Sequence, residues 1–76
     1  MTVAGRPERL IYMANQIATF FAAQPGYAAA GTANHLKSFW DPQMRGEIIA
    51  WRTGGGEGLS PVAAAAVDRL AAPVAP

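Results

Sequence analysis

The sequence predicts an all-α protein, a small bundle or bent array of four short helices. Alanine, the strongest helix former, occurs 17 times in 76 residues. No stretch alternates β-branched and polar residues in the pattern of a half-buried strand. Proline and glycine recur at intervals that divide the chain into segments of helix length. A chain of this size forms one small domain.

The first two predicted helices are bounded by proline and glycine. Pro7 opens helix 1, because proline fits the first turn, where its missing N–H costs no bond. Its apolar face at helical spacing comprises Leu10, Met13, Ala14, Ile17, Phe20 and Phe21. Gln24-Pro25-Gly26 ends this helix. Helix 2 is predicted from about Tyr27 to Phe39, although Gly31 weakens it by about 1 kcal/mol relative to alanine.

The third helix begins at the clearest boundary in the chain. Asp41 is a favoured N-cap, and Pro42 suits the position that follows it. Helix 3 is predicted from Pro42 to about Arg52, and with the preceding helices it forms an ordered core over about 7–53. Gly54-Gly55-Gly56 stops the helix and begins a Gly-rich stretch, 54–58, that we interpret as a flexible linker.

The fourth helix repeats the same device, with Ser60 as N-cap and Pro61 in the first turn. It is predicted over about 61–72, and Pro73 and Pro76 are expected to end it in a loose tail. Because this helix offers little except alanine to bury, we expect it to dock weakly or to dock on another chain.

Charge and composition exclude several classes of protein. Six basic and five acidic residues leave a net charge of +1, which argues against nucleic-acid binding. There is no cysteine for a disulfide or a thiolate metal site, and one histidine cannot build a zinc site alone. No pair of acids has a spacing typical of general acid/base catalysis. With 14% charged residues, the surface is typical of a subunit that hides area in a complex.

The uncharged stretch from Leu10 to Leu36 invites a membrane or signal-peptide interpretation. Polar residues interrupt it, and Asn15-Gln16 lies where an apolar segment should be purest. We therefore expect no membrane association and a cytoplasmic location.

Two surfaces are candidates for partner contact. The Phe39–Pro42 corner is interpreted either as core packing or as an interface anchor, since Trp and Arg lead interface hot spots. A second surface is the polar face of helix 1, opposite its apolar face. It comprises Glu8, Tyr12, Asn15 and Thr19, and it is either ordinary solvent-exposed surface or buried against another protein. His35 is most simply an edge histidine beside Phe39, with partner contact as the alternative. The candidate interface residues are Tyr12, Asn15, Thr19, His35, Trp40, Asp41, Pro42, Arg45, Trp51 and Arg52.

Several blocks in fixed order carry a family resemblance. They are Met13-Ala14-Asn15-Gln16-Ile17 with Phe20-Phe21, then His35, then Phe39-Trp40-Asp41-Pro42 with Met44-Arg45, then Gly58-Leu59-Ser60-Pro61. In this order they resemble the delta subunit of NAD-dependent formate dehydrogenases. The resemblance runs from about Arg9 to Leu70, whereas Met1–Gly5 and the Ala/Pro tail fall outside it.

The resemblance implies a non-catalytic accessory subunit that supports assembly or stability of a cytoplasmic molybdenum enzyme. It implies no cofactor in this chain. The molybdenum bis-pterin guanine dinucleotide cofactor, iron–sulfur clusters, FMN and NAD are then expected in partner subunits, and the large molybdenum-binding subunit is the expected contact. Two alternatives remain: a helix-turn-helix regulator built on helices 2 and 3, and a free-standing homodimer that buries the same apolar surface on itself.

Overall fold

The computed structural model describes residues 7–72, and four α-helices account for most of that range. They are α1 (Glu8–Phe21), α2 (Ala28–Phe39), α3 (Pro42–Thr53) and α4 (Pro61–Ala71). No strand occurs within residues 7–72, which confirms the all-α prediction. The segment before Pro7 and the predicted loose tail from Pro73 lie outside the described residues.

Helices α3 and α4 begin with the same capping device, as the sequence predicts. The Asp41 carboxylate accepts a hydrogen bond from the Met44 backbone N–H at 2.8 Å. The Ser60 hydroxyl accepts one from the Ala63 N–H at 3.2 Å. A proline occupies the first turn in both helices. Each cap satisfies one backbone donor that the helix leaves unpaired, so the starts of both helices are encoded locally.

Helix α4 packs into the core, and the expectation of weak docking is wrong. Its most extensive packing is against α2, and it also contacts α1 and α3. Ala63, Ala66 and Val67 are fully buried on α4, and the facing α2 buries Thr32 and Ala33. Small side chains let two helix axes approach closely, so an alanine-rich face packs well with little bulk.

The glycine segment before α4, which the sequence suggests is a flexible linker, makes hydrogen bonds to α1 and α3. Asn15 of α1 donates from Nδ2 to the Gly58 carbonyl at 2.9 Å and accepts from the Ser60 N–H at 2.8 Å. The Trp51 indole donates to the Glu57 carbonyl at 2.7 Å. Gly56 is buried with φ 71°, a conformation that favours glycine. These bonds fix where α4 starts.

The core combines one stripe from each helix, and α1 contributes less of its apolar face than predicted. Leu36, Ile48 and Val67 are fully buried at its centre. On α1, Ala18 is the last residue that is fully buried, and Phe20 is 73% exposed. Phe20, which the sequence places on the apolar face of helix 1, therefore lies outside the core, whereas the adjacent Phe21 packs on α2.

Candidate protein interface

At the predicted Phe39–Pro42 corner, Trp40 and Asp41 both have partners within the chain. Trp40 is only 4% exposed and packs in the core. Asp41 is occupied by its cap, and Pro42 is an exposed first-turn proline. The Arg45 guanidinium donates from Nη1 to the Trp40 carbonyl and to the Lys37 carbonyl, at the C-terminal end of α2. Of the two readings of this corner, the structure gives Trp40 the core position.

Two more candidates, Trp51 and Arg52, also have partners within the chain. The Trp51 ring is half-buried, and its N–H is bonded to the glycine segment as described above. Arg52 forms a bidentate ion pair with Asp68 of α4, with N–O distances of 2.9 and 3.0 Å. Hydrogen bonds from this guanidinium hold the pKa of Asp68 below the ordinary aspartate value, and the carboxylate raises the pKa of Arg52. The pair joins α3 to α4.

The polar face of α1 is partly used inside the molecule. Asn15 ties α1 to the start of α4 through its two bonds. The Thr19 hydroxyl donates to the Asn15 carbonyl one turn earlier at 2.9 Å, a common local bond for threonine in a helix. Tyr12 is 65% exposed. Tyr12 is the exposed aromatic of this face, and its role in partner contact remains a prediction.

Among the described residues, the two most exposed aromatic side chains lie elsewhere, where the end of α1 meets α2. We call Phe20, Phe21, His35 and Phe39 the aromatic face. Phe20 and Phe39 are 73% and 75% exposed, whereas Phe21 and His35 are half-buried between them. Adjacent rings are in contact along the whole face: centroid separations are 5.1 Å for Phe20–Phe21, 6.4 Å for Phe21–His35 and 4.6 Å for His35–Phe39.

A shallow groove crosses this face. It has a volume of about 340 Å³ and is lined by Gln16 and Ile17 of α1 together with Phe20, Phe21 and His35. None of these five residues is an acid, a lysine or an arginine. His35 thus lies beside Phe39, as the edge interpretation predicts, and it is also part of the groove.

Gly31 of α2 allows the Phe21 ring of the aromatic face to pack directly against the helix. A Cβ added at Gly31 of α2 would lie 2.6 Å from the Phe21 ring and 2.7 Å from the Tyr27 ring. The absence of a side chain therefore lets Phe21 rest directly on α2. Tyr27 contacts Phe21 edge-on at 6.1 Å, and its hydroxyl accepts a hydrogen bond from Asn34 at 3.3 Å. These contacts orient Phe21 at the base of the groove.

Phe20 and Phe39 are absent from the interface residues that the sequence predicts, although Phe39 belongs to the corner considered as an anchor. One signal was available for Phe39. In α2 the buried positions Thr32, Leu36 and Trp40 recur every four residues, and His35 and Phe39 form a second, parallel row beside them. A row adjacent to the core row lies at the margin of the packed surface.

The described residues offer little for other classes of function. No group of three or more His, Cys, Asp or Glu side chains converges within residues 7–72. None of the helices in that range has the length and hydrophobicity that a membrane span requires. The arrangement that stands out is the aromatic face, whose chemistry is that of a protein contact.

Comparison with known proteins identifies a family. A family model described as the NADH-dependent formate dehydrogenase delta subunit FdsD matches residues 9–67. The match covers more than three quarters of the 76-residue chain. It includes α1 from Arg9 onward, all of α2 and α3, and the buried part of α4. No curated protein and no solved structure matches the chain.

Proposed function

The chain belongs to the NADH-dependent formate dehydrogenase delta subunit family, and we propose that it serves there as a non-catalytic accessory subunit. Membership makes it a formate dehydrogenase subunit and implies partner subunits in the complex. The proposed role is to support assembly or stability of the complex in the cytoplasm. The proposed contact is the large molybdenum-binding subunit.

The observation that carries this proposal is the aromatic face. Two phenylalanines on neighbouring helices are about three-quarters exposed, one at each end of a continuous row of rings, in a protein with few charges. Docking would remove roughly 100–150 Å² of apolar surface from each ring, a gross gain of about 2–4 kcal/mol per ring. Aromatic residues, phenylalanine among them, are enriched at protein interfaces. We therefore assign docking on the partner subunit to this surface.

A non-catalytic role agrees with how the chain uses its polar groups. Asp41 caps α3, Asn15 ties α1 to the start of α4, and Asp68 pairs with Arg52. Each of these groups has a structural partner rather than a place in a convergent polar cleft. We propose that the molybdenum cofactor, iron–sulfur clusters, FMN and NAD are bound by partner subunits.

Surface variants test the docking assignment. We expect Phe39→Ser and Phe20→Ser each to weaken association with the rest of the complex at least tenfold, because each removes a central apolar anchor. Tyr12→Ser removes a similarly exposed aromatic from the polar face of α1, and if docking uses the aromatic face alone it changes association less than threefold. Association is measured by titrating purified complex that lacks this chain with the labelled chain.

Three results would contradict this assignment. If Tyr12→Ser disrupts binding and the phenylalanine variants do not, docking uses the polar face of α1. If the purified chain is a stable dimer in gel filtration and Phe39→Ser makes it a monomer, the aromatic face serves self-association. If the unmodified chain does not bind the complex, the accessory-subunit proposal itself is wrong.

The accessory role is tested by activity per molybdenum. A protein that binds only the assembled state stabilises it by RT ln(1 + [L]/Kd), about 2.7 kcal/mol at a hundredfold excess over Kd. Enzyme made without this chain should therefore contain a smaller active fraction, with the KM for formate nearly unchanged. A tenfold loss of activity per bound molybdenum at full cofactor occupancy would show instead that the chain acts on turnover.

A further inference from the structure

A second surface lies on the other flank of α2 and is basic. It is a groove of about 590 Å³ between α2, the start of α3 and the end of α4, and we call it the basic groove. Its cations are Lys37, Arg45 and Arg69, half of the six basic residues in the chain. Because residues two apart in a helix point about 200° from each other, Lys37 faces away from His35 of the aromatic face. The two surfaces can contact different parts of a partner.

Within residues 7–72, no carboxylate neutralises the cations of the basic groove. Lys37 and Arg69 are exposed, and no carboxylate among the described residues pairs with either of them. Arg45 uses one guanidinium nitrogen on two backbone carbonyls, which holds its planar head in a fixed position. The residues that line the groove include no acid. Arg52, by contrast, has its own carboxylate in Asp68.

The favourable position of a cation at the C-terminal end of a helix explains Lys37 and Arg69 individually. It does not explain why both lie around the same groove as Arg45. Lys37 and Arg69 each lie in the last turn of their helix, where a cation interacts favourably with the helix dipole. That effect acts on each helix separately. It gives no reason for the ends of α2 and α4 to meet Arg45 around one concave surface that lacks acids. Convergence of positive charge in a groove favours an anionic occupant.

We propose that the basic groove binds a short acidic segment of a partner subunit. One or two carboxylates would pair with Lys37 and Arg69, and the aliphatic part of the segment would lie against Ala33 and Leu70, which also line the groove. Three cations on a chain of net charge +1 do not make the extended phosphate footprint of a nucleic-acid protein. The inference rests on the proposed association with partner subunits but concerns a different surface.

Lys37 makes a direct test possible, because it is the only lysine in the chain. Carbodiimide treatment of the assembled complex joins an amine to a carboxylate only when the two are in contact. We expect mass spectrometry to find an isopeptide bond between the Lys37 amine and an Asp or Glu of a partner subunit. Lys37→Arg keeps the charge and should abolish the bond. Adding Arg9→Lys to that variant places an amine on exposed α1, and no bond to the same segment should form.

Charge reversal gives a second readout. Lys37→Glu and Arg69→Glu should each weaken association about tenfold at about 50 mM salt, because like charges would then face each other. Most of this difference should disappear at about 0.5 M salt, where exposed charges are screened. Arg9→Glu makes the same change of net charge outside the groove, and its effect should stay below twofold.

The outcomes separate this inference from the proposed function. If Phe39→Ser prevents association while Lys37→Glu and Arg69→Glu behave like Arg9→Glu, the basic groove has no acidic occupant, although the chain still docks through the aromatic face. The inference is also overturned if Lys37 forms no cross-link in a complex that contains the chain, or if Lys37→Glu abolishes binding of an oligonucleotide and leaves association unchanged. Failure of the unmodified chain to associate overturns both proposals.

Discussion

Phe39 and Trp40 are adjacent in the sequence and lie in opposite environments. Trp40 is 4% exposed and packs among α1, α3 and α4 residues, whereas Phe39 is 75% exposed on the aromatic face. The boundary between the core and the candidate interface therefore falls between two neighbouring residues at the end of α2. The comparison separates two roles of aromatic residues, one in folding and one in binding.

The groups beside Trp40 and Phe39 also differ: hydrogen-bonded polar groups lie beside Trp40, and the His35 ring lies beside Phe39. Around Trp40, the Asp41 cap and the bonds from Arg45 satisfy backbone groups at the ends of both adjoining helices. Around Phe39, the neighbouring groups are aromatic rings, and the groove beside them lacks charged side chains. Mutations in the corner should thus change the free energy of unfolding, and mutations on the aromatic face should change association.

The largest expected effect is that of Trp40→Ala. Truncating a buried tryptophan should lower the free energy of unfolding by about 3–5 kcal/mol, a large part of the roughly 4–11 kcal/mol available to a chain of this length. Phe39→Ala is the matched control and should change stability by less than about 1 kcal/mol. Urea denaturation followed by circular dichroism measures both. Equal losses for the two variants would erase the distinction between the two regions.

The next largest effect is expected for Asn15→Ala, which removes the tie between α1 and the start of α4. Two hydrogen bonds are lost, and at about 0.5–1.5 kcal/mol each the free energy of unfolding should fall by about 1–3 kcal/mol. Gln16→Ala, at the neighbouring exposed position on α1, should be nearly neutral. If Asn15→Ala is equally neutral, the glycine segment holds α4 without this tie.

The helix caps and the bonds of Asn15 show what sequence patterns predict and what they miss. The caps at Asp41 and Ser60 are predictable from sequence because capping depends on residues within one turn. The bonds of Asn15 join residues 43 and 45 positions apart, and no local pattern encodes them. Helix periodicity placed Trp40 on the buried row of α2. It does not show that Phe20 is exposed, because that depends on where the other helices lie.

The packing of α4 illustrates a second limit. Its alanines were expected to bury too little, because a sequence shows how bulky side chains are and not how closely two helices approach. Close approach needs small residues on both helices at the same height, and α2 supplies Thr32 and Ala33. The aromatic face was likewise assembled from two helices, α1 and α2, whose relative placement the sequence did not give.

A smaller effect is expected for Asp41→Ala, which leaves Trp40 in place and removes only the cap of α3. The free energy of unfolding should fall by about 0.5–2 kcal/mol, the usual loss for an N-cap. Ser38→Ala changes an exposed residue three positions earlier and serves as the control. Thermal unfolding of the two variants measures the difference, and association with the complex should be unaffected in both. A loss of association in Asp41→Ala would extend the candidate interface into the corner.

The smallest effect is expected at the Arg52–Asp68 pair, which joins α3 and α4 at the surface. The pKa of Asp68 is lowered in the folded protein by hydrogen bonds from Arg52. The pair therefore stabilises the fold above the ordinary aspartate pKa of about 3.9, and this contribution is lost as the pH falls through the lowered pKa.

Asp68→Asn should lower the melting temperature slightly at neutral pH, with a difference from wild type that shrinks below about pH 3.9 and in about 1 M salt. Glu47→Gln removes one exposed acid elsewhere and should not reproduce this pattern, because Glu47 has no guanidinium partner among the described residues. If Asp68→Asn keeps its full deficit at low pH, the side chain stabilises the fold by packing rather than by its charge.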